Sequence, residues 1–404
     1  MAQLLALGDY WWGWGNLLFR WLHVVAAMAW IGASFYFIGL DNHLLPPEDP
    51  EDAARGVGGE AWEIHGGGFY HVQKYRVAPP DLPERLLWFK WEAYTTWLSG
   101  FALLVVLYYL NASTYLVDPN VADIGDTVAV AISIGLLVVA WVLYDVLCRA
   151  LEGRELALGT AILALTAVAA YGCEQLFAPR AAYLQVGAML GTIMSANVFF
   201  TIIPAHWKLI RAKEAGEEPD PAPGLRAKQR SVHNNYLTLP VLLTMISGHF
   251  SFTYGHSHAW LILVALMLIG AWIRHFFNLR HTDRTVWWIP ATAAAALLAL
   301  AIAIRPDDSK PSDGAGGTVT FAQVQPVVEQ RCAFCHSEHP KSAEFKTAPA
   351  RIRLDTAEEI AAQADRIKAV AVDSRTMPLG NMTHMTDAER SLLGAWIRAG
   401  APTG

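Results

Sequence analysis

The chain has 404 residues, 54% of them apolar, 11% aromatic and only 16% charged, where a soluble domain carries about a quarter. This excludes an ordinary soluble enzyme and a disordered segment, and marks a membrane protein. The net charge of −6 says little, because charge in such a chain is placed by topology, and no feature suggests a nucleic-acid partner.

Eight apolar runs approach the roughly 17–25 residues that cross a bilayer. They lie near 17–40, 91–110, 127–147, 156–177, 183–206, 236–254, 259–279 and 286–304. The expected fold is all-α: an eight-helix transmembrane bundle over 1–304 with a long inner loop at 41–90. A flexible linker follows at 305–318, and then a small class-I-like cytochrome c domain at 319–404. The N-terminus carries no Lys or Arg before Arg20, so the first run reads as a retained anchor rather than a signal peptide. Cys148 and Cys173 fall near opposite ends of neighbouring helices, too far apart to bridge.

The cytochrome reading rests on Arg331-Cys332-Ala333-Phe334-Cys335-His336. C-x-x-C-H is the attachment site of a c-type haem: two thiols add across the porphyrin vinyl groups and the histidine ligates the iron. The competing reading is half of a zinc site, which needs further Cys or His ligands at suitable spacing. Met377, followed by Pro378, is the expected distal ligand, with Met382 and Met385 as rivals and an open distal position as the alternative. His336 and Met377 together would raise the reduction potential and suit an electron acceptor.

Covalent haem attachment occurs outside the cytoplasm, so the tail should be periplasmic, on a bacterial inner membrane. Eight crossings put both termini on that side. The expected inner loops hold sixteen Lys and Arg residues, from Arg55 to Arg284, whereas the three short outer loops hold only Arg180, which is the asymmetry that orients membrane proteins.

Ionisable groups inside a span are costly and attract functional readings. His23 in the first helix and His249 in the sixth should lie at similar depth near the outer face, with Ala26, Ala27 and Gly248 beside them. Two such histidines are what a bis-histidine b-type haem requires; alternatively each hydrogen-bonds a neighbouring carbonyl. Asp145, Asn197, His206, His233, Asn234, Asn235, His275 and Asn278 cluster toward the inner face, either as a polar cavity or as wet helix ends.

The inner loop is unusually aromatic. It runs through Glu60-Ala61-Trp62-Glu63-Ile64-His65-Gly66-Gly67-Gly68-Phe69-Tyr70-His71, Lys74-Tyr75-Arg76 and Trp88-Phe89-Lys90-Trp91-Glu92. Rings and cations together would suit a planar anionic heterocycle; the plainer reading is a loop packed on the membrane by its aromatics. At these segments, and at Val77-Ala78-Pro79, the haem motif and Met377-Pro378-Leu379-Gly380-Asn381, the chain resembles the membrane-bound, cytochrome-c-fused urate oxidases, also called PuuD-type urate hydroxylases. The resemblance implies oxidation of urate to 5-hydroxyisourate with water as co-substrate. Electrons would leave through the cytochrome to a downstream cytochrome or terminal oxidase. It assigns no base; the residues themselves offer Glu92 or His65 for that role and Lys74 for binding the anion. A quinol-to-cytochrome respiratory subunit and a haem-tethered transporter or redox sensor are the competing readings.

Overall fold

The fold is that of a computed structural model, which describes residues 2–119, 121–282, 284–305, 319–342, 345 and 347–403. Apart from Arg305, the expected linker lies outside these residues. The long helices are α1 (Ala2–His43), α2 (Trp91–Leu104), α3 (Asp126–Ala150), α4 (Glu155–Leu176), α5 (Pro179–Glu214), α6 (Ala222–Ser247), α7 (Ala259–Arg280) and α8 (Trp288–Ala303).

Five of them, α3, α4, α5, α7 and the Gly13–His43 part of α1, are long and apolar enough to cross a membrane. The other three expected crossings coincide with elements that fall short of that length or apolarity, each for a visible reason. α2 gives way to a π-helical turn at Val105–Tyr109, α6 begins with Arg226, Lys228 and Arg230, and α8 has only 16 residues. α5 also passes through a π turn, at Asn197–Ile202, just before Pro204. Proline has no N–H for the carbonyl four residues earlier, and the wider turn accommodates the loss.

α5 is the most enclosed helix, packed against α3, α4 and α6. The bundle core joins Tyr144, Leu158, Phe177, Leu190 and Leu263 from α3, α4, α5, α7 and the turn before α5. α1 and α2 run antiparallel against each other on one side of α5 and α6.

The inner loop departs from the all-α expectation. Val57–His65 (β1) and Gly68–Tyr75 (β2) form an antiparallel hairpin, with His65 opposite Gly68. Gly66 and Gly67 both have positive φ, +57° and +83°, as a two-residue turn with the strand twist requires. The flanking Val, Trp, Ile, Phe and Tyr are good strand formers. Tyr36–Glu63 (2.6 Å) and the Lys74–Asp41 ion pair hold the hairpin to the inner end of α1.

The tail is a separate helical unit built on α9 (Phe321–Arg331) and α10 (Asp387–Arg398) around Val324, Val328, Leu354, Leu393 and Trp396. Thr386 caps α10 in a reciprocal capping box with Glu389. Between α9 and α10 the chain forms two short helices that meet at Gln363, Ala357–Ala362 and Ala364–Ile367, followed by a π turn at Lys368–Asp373.

Candidate functional site

The half of the bundle away from the hairpin holds a cavity of about 420 Å³ between α1, α2, α5 and α6. His23 and His249 both line it, although 226 positions apart in the chain. His249 is not inside a helix as expected: α6 ends at Ser247, and His249 sits in the turn before a short helix at Ser251–Tyr254. The Nδ1 of His23 is 3.0 Å from the Thr96 carbonyl and 3.2 Å from Ser99 Oγ. A carbonyl can only accept, so this contact places the proton on Nδ1 and leaves Nε2 as an acceptor. The walls are mainly apolar; Arg20 and Arg180 supply the positive charge.

The half of the bundle nearer the hairpin holds two buried polar networks. In the first, Tyr144 Oη meets His233 Nδ1 at 2.8 Å, and the Asn197 amide donates to Tyr144 and to Asn234. Beside it Arg230 pairs with Asp145 at 2.7 Å and lies over the Tyr144 ring. In the second, Asn235 Oδ1 accepts from Arg274 Nε at 2.8 Å and from the Asn278 amide at 3.1 Å, while the Asn235 amide reaches Ser34. The Arg274 guanidinium stands 3.8 Å over the Phe35 ring. The expected inner cluster is therefore divided, and His275 is taken up by Tyr236 at 2.7 Å.

Arg230 and Arg274 correct the sequence reading, which counted both as inner-loop charges. They are 4% exposed. Each has a terminal nitrogen without a partner, and so do the side-chain oxygens of Asn197 and Asn278. A buried guanidinium with an unmet N–H is costly, and a bound anion or carbonyl would relieve it. The signal for Arg274 was its position within an apolar run, four residues before Asn278 and so on the same helix face.

The three catalytic candidates do not share one place. Lys74 is opposite Gly59, six strand positions from His65, which is about 20 Å along the hairpin. His65 is exposed beside the turn, and Lys74 is engaged by Asp41. Glu92 differs: in the first turn of α2, it keeps one carboxylate oxygen buried without a partner. Since α1 and α2 are antiparallel and His23 lies beside Ser99, Glu92 is level with about Trp30 of α1.

In the tail, Cys332 and His336 are four residues apart on a helical turn that continues α9, with His336 N–H bonded to the Cys332 carbonyl at 2.9 Å. Nδ1 of His336 is 3.2 Å from the Ile352 carbonyl, which orients the ring as second-shell partners orient metal-ligating imidazoles. Burial lowers the His336 pKa and favours the neutral, ligating form. Cys332 and Met377 pack on the tail core, where Met385 is almost wholly buried. Among the described residues no three His, Cys, Asp or Glu side chains converge as metal ligands, so Cys332, Cys335 and His336 do not form most of a tetrahedral site.

Residues 9–305 match the model of the family described as urate oxidase N-terminal, a span that includes all the bundle helices and stops before the tail. The chain belongs to the urate oxidase N-terminal family. No curated protein and no solved structure matches it.

In this family member the tail docks on the bundle end that carries the cavity of His23 and His249. It contacts Ala112–Tyr115 and Ser251–Tyr254 through the turn at Leu379–Asn381 and the Lys368–Asp373 segment. Gly255 is required at the junction: a Cβ there would fall 2.1 Å from the Ser374 carbonyl oxygen. Gly255→Val should lift the tail off the bundle and speed its release by limited proteolysis in detergent. An unchanged cleavage rate would mean that this junction does not hold the tail.

Proposed function

We propose that this protein oxidises urate among its membrane-embedded helices and delivers the electrons to a c-type haem held covalently by Cys332 and Cys335. The reaction is urate + H2O → 5-hydroxyisourate + 2 H⁺ + 2 e⁻. The observation that carries this reading is the family match across the bundle.

The substrate chamber is assigned to the network around Asn235. Urate is flat and anionic, and its edge alternates carbonyl acceptors with N–H donors. Arg274 has an unmet donor and Asn278 an unmet acceptor, both anchored on Asn235, and Phe35 supplies a ring face. Trp30, which marks the level of Glu92, and Phe35 are five residues apart on α1, ~8 Å along its axis. Glu92 is the base that takes a ring proton as electrons leave, and water adds to the oxidised ring. His65 and Lys74 are placed outside this chamber.

Bound at the motif, a haem supplies a one-electron acceptor. His336 would hold the iron from one side and Met377 from the other. The reading includes eight crossings, both termini and the tail in the periplasm of a bacterial inner membrane, and onward transfer to a downstream cytochrome or terminal oxidase.

The test is anaerobic addition of urate to the purified full-length protein. Urate should reduce the covalently bound haem with two electrons released per 5-hydroxyisourate formed. An intact covalent haem that urate leaves oxidised, while a quinol reduces it, would replace this reading with a respiratory electron-transfer subunit.

A further inference from the structure

We infer that the cavity away from the hairpin is a second redox site, a non-covalent b-type haem held between His23 and His249. The inference goes beyond the covalent haem of the tail, and its test does not depend on urate being the substrate.

The first argument is the ligand pair. His23 comes from α1 and His249 from the turn after α6, and both line one cavity. His23 already has the outer-shell arrangement of an iron-ligating imidazole: Nδ1 is committed to the Thr96 carbonyl, which fixes the tautomer and leaves Nε2 to ligate. Its ring crosses α2 at Gly100, where a Cβ would come within 2.7 Å of the ring. A side chain at position 100 would therefore turn His23 out of this orientation.

The second argument is shape and polarity. The cavity volume of about 420 Å³ lies within the roughly 300–1,000 Å³ of cofactor sites and far exceeds what two histidines bonding carbonyls need. Gly191 lines it with nothing within 4 Å of where a Cβ would stand, so there is open space beside α5. The lining is apolar except for a few groups, with cations at Arg20 and Arg180; the Arg180 guanidinium lies against Gly248, next to His249. Haem b has matching chemistry: a flat apolar macrocycle, an iron that takes two imidazoles, and two propionates for the arginines. A quinone has neither the metal nor the carboxylates.

The third argument is position. His249 is two residues before the Ser251–Tyr254 helix that the tail contacts, and Gly255 closes on Ser374, three residues before Met377. One short path thus joins the cavity to the expected distal ligand of the tail. An electron arriving from the bundle would reduce Fe(III) to Fe(II) here, and leave to the tail iron as this iron returns to Fe(III). Two one-electron carriers match a two-electron oxidation.

The experiment is a haem count on the purified full-length chain, before any substrate is added. Acid-acetone extraction and pyridine haemochrome should give one extractable haem b besides one covalent haem c. The oxidised protein should show a low-spin bis-histidine signal. His23→Ala and His249→Ala should each lose the extractable haem and keep the covalent one, with the bundle still folded by size-exclusion in detergent. In His23→Gly, added imidazole should restore both binding and the low-spin signal, which a merely structural histidine would not do. Wild-type protein with full covalent haem and none extractable would overturn the inference, as would extractable haem undiminished in both alanine variants.

Discussion

On the proposed reaction, replacing Glu92 with Gln is expected to lower the rate of urate-driven haem reduction by roughly 10²–10⁴-fold, the contribution of a positioned general base. The substitution keeps size and shape, and the buried oxygen it alters has no hydrogen-bond partner to lose. The helix start it belongs to is held independently, by the Lys90 carbonyl accepting from Tyr94 N–H and the Glu92 carbonyl from Thr96 Oγ1. Folding and covalent haem content should therefore match the parent protein, and only turnover should fall. Stopped-flow absorbance under anaerobic conditions separates the two. A Gln variant within threefold of the parent rate would remove Glu92 from the chemistry. The same measurement on His65→Ala should show little change, since His65 is exposed beside the hairpin turn.

The largest stability effect is expected at Asp145. Its carboxylate faces Arg230, whose side chain is 5% exposed, and also Arg149, whose side chain is 77% exposed, each at 2.7 Å. Asp145→Ala leaves the Arg230 charge buried beside Tyr144 without its carboxylate, and removing one partner of such a pair costs about 3–5 kcal/mol. Arg149→Ala removes a solvent-screened pair, and its cost should be below about 1 kcal/mol. Adding Arg230→Met to Asp145→Ala should recover much of the loss, because the uncompensated charge is then gone. Thermal unfolding in detergent, compared across the cycle, reads these differences. Equal losses at Arg149 and Asp145 would show that the burial of Arg230 is not what makes the pair matter.

Much of the architecture was legible along the chain, because lipid imposes a one-dimensional rule: a span must be long, apolar and helical. Five helices satisfy that rule outright. The three expected crossings that fall short involve a π turn, a charged start and a short apolar run, each visible locally but hard to weigh without neighbours. The hairpin at Val57–Tyr75 was written in its β-branched and aromatic residues around Gly66-Gly67, but those same rings also resemble a binding loop. Only the strand register shows that His65 and Lys74 lie at opposite ends of it.

The sequence by itself determined the C-x-x-C-H motif at Cys332 and the apolar runs, both of which depend on residues close together in the chain. The tertiary structure decided which distant groups meet: His23 with Thr96, Arg230 with Asp145, Arg274 with Asn235, and Gly255 against Ser374. The physical reason is the same in each case. A buried polar group must find a partner, and in a helix bundle that partner comes from another helix, at a sequence distance that no local pattern encodes.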